Sequence, residues 1–78
     1  MAHPENQTVG RFTFANIDTP SDVWLWSIVT DYKGSQDYGE IICSFGEDDY
    51  PTELVVKIML EALCFECDTR NYKIEDLI

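Results

Sequence analysis

The sequence predicts an α+β domain. The expected architecture is a small antiparallel sheet of three or four strands packed against one helix in the C-terminal half. The order is β-β-β-α, with room for a final strand. Three observations carry this. Residues 9–16 alternate, with Phe12 and Phe14 on one side and Arg11 and Thr13 on the other, the period of a half-buried strand. Two runs rich in β-branched and aromatic residues flank a turn that contains Gly34. Residues 51–67 carry their polar side chains Glu53, Lys57 and Glu61 four apart, which places them in one stripe along a helix.

Taken in order, residues 1–8 read as a polar N-terminal tail, and residues 9–78 as the single domain. Residues 17–22 read as a loop around Pro20. Thr19-Pro20-Ser21-Asp22 resembles a helix start, with Pro at the first helical position. The following run, Val23 to Tyr32, is too rich in Val, Ile, Trp and Thr for that and reads as a strand. Trp24, Trp26, Ile28 and Thr30 lie on one side, and Val23, Leu25, Ser27 and Val29 on the other. Both sides are largely apolar, so this is expected to be the central strand.

Residues 33–37 read as a turn, with Gly34 able to supply positive φ. Residues 38–46 return as a strand, with Ile41, Cys43 and Phe45 expected on one face. Asp49 or Thr52 is placed to cap the helix. Nearly everything else from Leu54 to Phe65 is apolar, a wider apolar surface than one core contact needs. Charges placed at Val56 or Leu60 would, on this reading, face outward. Residues 72–78 are the candidate final strand.

Composition bounds the function. Hydrophobic residues make up 45% of the chain and aromatics 13%, too much for a disordered acidic tail. Fifteen acids face five basic residues, a formal net charge of −10. A field of that sign repels nucleic acid and anionic membrane and attracts basic surfaces. No apolar run reaches the ~20 residues of a membrane-spanning helix. A polar start without a basic or apolar leader, and only three cysteines, predict a cytoplasmic protein without a disulfide framework.

Sites for chemistry are sparse. Cys64-Phe65-Glu66-Cys67 has the spacing of a zinc or redox pair. It falls at the helix C-terminus, however, where the dipole opposes a thiolate, and Cys43 and His3 are the only further ligand candidates. Buried structural thiols are the commoner role. With His3 as the only imidazole, a Ser or Cys nucleophile lacks its usual base. The chain is therefore expected to be no enzyme and to need no cofactor and no metal.

The acids gather in predicted turns. Asp31, Asp37 and Glu40 surround the hairpin turn, and Glu47, Asp48 and Asp49 stand between strand and helix. Tyr32, Tyr38 and Tyr50 lie among them, as aromatic anchors within a polar rim would. These nine residues are the expected partner-binding set. The partner is a basic protein surface, in the most specific form that of a nucleic-acid-binding protein. The role is then binding and inhibition of the anti-defence or nucleic-acid-mimic type. The alternative is a homodimeric accessory module whose acidity serves solubility only.

Overall fold

In the computed structural model, residues 6–46 and 51–66 are described. They form four strands and one helix: β1 (Gln7–Val9), β2 (Phe12–Asp18), β3 (Trp24–Thr30), β4 (Ile41–Phe45) and α1 (Glu53–Glu66). The strands make one antiparallel sheet in the order β1-β2-β3-β4. The α+β class, the internal position of β3 and the single helix in the C-terminal half agree with the sequence pattern. The candidate strand at residues 72–78 lies outside the described residues, as do Glu47, Asp48, Asp49 and Tyr50 of the expected site.

β1 is the element the pattern missed, because Gln7 and Thr8 fell in the expected tail. The strand exists through its turn and its pairing rather than through apolar alternation. Val9 faces Phe12 across two residues, Gly10 and Arg11. Gly10 holds φ +60°, the first-position glycine of a tight hairpin turn whose twist matches the strands. The Thr8 and Thr13 hydroxyls then bond across the pair at 3.0 Å.

Thr19-Pro20-Ser21-Asp22 makes a hairpin turn rather than a helix start. The Asp22 N–H donates to the Thr19 carbonyl at 2.9 Å, and the Thr19 N–H donates to the Val23 carbonyl at 3.1 Å. Pro20 supplies the turn's second position, and Asp22 takes the left-handed residue at φ +60°, which Asp tolerates better than bulkier side chains. β2 therefore continues to Asp18, two residues into the expected loop.

β4 contains a bulge. Ile28 faces Cys43 and Val29 faces Ile41, which leaves Ile42 as the extra residue. One inserted residue reverses the side-chain alternation. Ile41 consequently packs with Ala15, Ile17 and Val29, while Cys43 packs with the opposite core of Phe12, Phe14, Ile28 and Phe45. The single face expected for Ile41, Cys43 and Phe45 is thus split in two.

α1 lies across the second of these cores. Thr52 caps it, its hydroxyl accepting from the Val55 N–H at 3.3 Å. Val56, Met59, Leu60 and Leu63 are fully buried, each contributing about 2 kcal/mol of apolar burial. Val56 and Leu60 therefore face inward, contrary to their expected orientation, and the outward large apolar positions are Leu54, Ile58 and Phe65. Against Gly10 the helix comes so close that an added Cβ would collide with Cys64 Sγ, and that thiol donates to the Val9 carbonyl at 3.0 Å.

The other sheet face is covered by the excursion between β3 and β4. Residues 31–40 form a strap rather than a tight turn. Lys33 N–H donates to the Asp37 carbonyl at 2.7 Å, and Asp37 N–H to the Gly34 carbonyl at 3.0 Å. Tyr32 and Tyr38 pack on Ala15, Ile17 and Val29. The strap reaches the far end of β2, where Asp18 donates its N–H to the Ser35 carbonyl at 2.8 Å and accepts the Tyr38 hydroxyl on its own carbonyl at 2.9 Å.

Candidate functional site

The structure separates the expected binding residues into different roles. Asp31, Asp37 and Glu40 are exposed. Asp31 sits at φ +52° and its carboxylate meets Arg11 at 3.7 Å. It is the one ion pair among the described residues, and both side chains are more than half exposed, so its strength is modest. Arg11 also lies 5.6 Å from the Phe12 ring centroid, within cation–π range. Glu40 is tied to the same end of the sheet by its N–H, which donates to the Thr30 hydroxyl at 2.8 Å.

Tyr32 and Tyr38 are half-buried and hold the strap to the sheet. Their rings cover the core of Ala15, Ile17 and Val29, and the Tyr38 hydroxyl is committed to the Asp18 carbonyl. Tyrosines among acids look the same in sequence whether they cover a core or await a partner.

At the opposite end of the sheet lies a group that sequence spacing did not single out. Asp18 and Trp24 face each other across β2 and β3, next to the Asn16–Trp26 pair. The adjacent Thr19–Val23 contact is hydrogen-bonded, and pair types alternate in an antiparallel ladder. Asp18 and Trp24 are therefore a non-hydrogen-bonded pair, the kind whose side chains approach closest. Trp24 is 51% exposed and Val23 48%. Asn16 and Asp22 are exposed beside them.

The floor beneath is aromatic and fixed. Trp26 stacks on Phe14 with centroids 5.1 Å apart and planes at 17°, and Phe14 meets the edge of Phe45 at 5.7 Å. Asp18 is equally fixed, with its N–H and carbonyl held by the strap and Oδ2 accepting from Gln36 Nε2 at 3.0 Å. Asp18, Asp22 and Trp24 each appear in the sequence as loop acids and a strand aromatic. Only the register brings them together.

The thiols play structural parts. Burial pushes Cys43 from an ordinary 9.0 up to about 12, against a smaller lowering by a hydrogen bond to the Ile28 backbone. Such a thiol stays protonated and unreactive near neutrality. Cys64 is committed to Val9, and Cys67 lies outside the described residues. Among the described residues, no group of three or more His, Cys, Asp and Glu is placed to hold a metal ion, and no helix is long and apolar enough to cross a membrane. No protein-family model, curated protein or solved structure matches the chain.

Proposed function

We propose that this chain is a cytoplasmic, non-enzymatic binding protein that engages a basic protein surface and modulates or inhibits it. The most specific form of the reading is an anti-defence or nucleic-acid-mimic inhibitor of a nucleic-acid-binding protein. One observation carries it. Asp22, Asp37, Glu53 and Glu61 stand exposed on an ordered frame, in a chain of net charge −10, and the one ion pair between described residues, Arg11–Asp31, involves none of these four. Ordered carboxylates of this kind steer a basic partner and give a steep salt dependence.

Affinity capture at low and moderate salt, followed by competition with duplex DNA, tests this. A partner that is retained at low salt, lost at moderate salt and displaced by DNA is the expected outcome. A partner retained equally at both salts, or no partner at either, defeats the reading.

Exposed Leu54 and Ile58, one turn apart on α1, favour the second reading, a homodimeric accessory module. Light scattering should then give a dimer that persists in high salt and dissociates in Ile58→Glu. A monomer at all concentrations removes it.

A further inference from the structure

We propose that Trp24, Asp18 and Asn16 form a seat for an arginine side chain of the basic partner, an inference that rests on the binding reading above and gives it a location. The exposed indole offers a π face, and the carboxylate beside it offers charge. Together they recognise a guanidinium, which stacks on aromatic rings and accepts carboxylate pairing in one plane. The carboxylate half is held before any guest arrives, since Asp18 is fixed through its backbone and through Gln36. Trp24 stands two residues along β3 from Trp26, which is stacked on Phe14. Only Oδ2 of Asp18 is engaged among the described residues, which leaves Oδ1 to accept from the guest.

The chain carries an internal precedent. At the other end of the sheet its own Arg11 lies over the Phe12 ring and against the Asp31 carboxylate. The same two chemical groups face each other in register at Trp24 and Asp18, and there no lysine or arginine of the described residues pairs with them. Charge decides the occupant. The surroundings contribute Asp22 as a further exposed acid, so a purely apolar guest would leave these carboxylates uncompensated, whereas a cation is attracted to them.

The test uses the full chain and a capped tri-arginine peptide, with amide and indole resonances followed by NMR at low salt. The expected result is saturable shifts at the Trp24 indole N–H, Asp18 and Asn16. Capped tri-lysine should require several-fold higher concentration to produce them. Trp24→Ala and Trp24→Leu should each weaken tri-arginine about tenfold, and Trp24→Phe two- to threefold, with backbone spectra otherwise unchanged. Retained affinity in Trp24→Leu overturns the cation seat, because Leu keeps apolar area without a π face. Shifts confined to Asp31, Asp37, Glu40 or the helix acids overturn the seat and leave the acidic-surface reading standing. No shift at any acidic residue overturns both.

Discussion

The two ends of the sheet contain the same pairing of an aromatic ring with a carboxylate, and they use it differently. At one end a two-residue turn brings Arg11 beside Asp31, whose N–H donates to the Arg11 carbonyl at 2.8 Å. The cation is supplied in cis and the pairing is closed. At the other end the hairpin turn carries Asp22 where a base would have closed the site, and Trp24 stays half exposed. An acidic excess spread over a surface becomes a defined site only where the chain does not supply the cation itself. Turn composition, more than total charge, separates the two.

The comparison breaks first at the floor. Phe14 supports Trp26 and Phe45 and is fully buried. Phe14→Ala should cost about 3–5 kcal/mol, most of the stability of a domain this small. Urea unfolding followed by tryptophan fluorescence reads the loss. A cost below about 1 kcal/mol would mean that the Trp24 end does not rest on the common core.

Gly10→Val strikes the closed end alone. It forces a β-branched residue into positive φ and drives its Cβ against Cys64 Sγ, for an expected loss of about 2–3 kcal/mol. Thermal unfolding should fall by about 8–24 °C for a domain of this length, while tri-arginine affinity per folded molecule stays unchanged.

A pH titration isolates the core between the ends. The Cys43 thiol ionises at about 12 in the folded protein and near 9.0 when exposed. Below about pH 9 both states are protonated and the thiol adds no pH dependence. Between about 9 and 12 the unfolded chain releases a proton that the folded chain keeps, so stability falls as pH rises. The wild type should therefore lose up to about 1.4 kcal/mol per pH unit relative to Cys43→Ala in that window. Parallel stability curves for the two proteins would show that the thiol is not shielded.

Asp31→Asn is expected to have the smallest effect. The pair it removes is exposed and should contribute less than about 1 kcal/mol. Asp18→Asn should change stability by a similarly small amount yet weaken tri-arginine several-fold. Equal effects of the two substitutions on binding would erase the distinction between the ends.

Much of the frame was legible in the sequence. Phe12 and Phe14, the Val23–Val29 run and the Glu53-Lys57-Glu61 stripe each show a period that packing enforces. β1 was hidden because Gln7 and Thr8 are held by pairing and hydroxyl contact, which leave no apolar period. The strap was hidden because Tyr32 and Tyr38 in an acidic segment resemble surface anchors, while their burial depends on how far residues 31–40 fold back. The Asp18–Trp24 pair depends on the length of an intervening turn, which had first to be distinguished from a helix start. Asp31, Asp37 and Glu40 were placed around the hairpin turn by the sequence and are exposed.

The extra residue in β4 is a silent letter in that strand's reading frame. Ile41 serves the strap-covered core, Cys43 and Phe45 serve the helix-covered core, and Ser44 lies between them against Ser27. Without Ile42, Ile41 and Cys43 would be neighbours on an ordinary pleat, already on opposite sides. Cys43, Ser44 and Phe45 would then keep the faces they now occupy. Deletion of Ile42 is thus expected to preserve the frame and to cost only that side chain's packing on the helix-covered core.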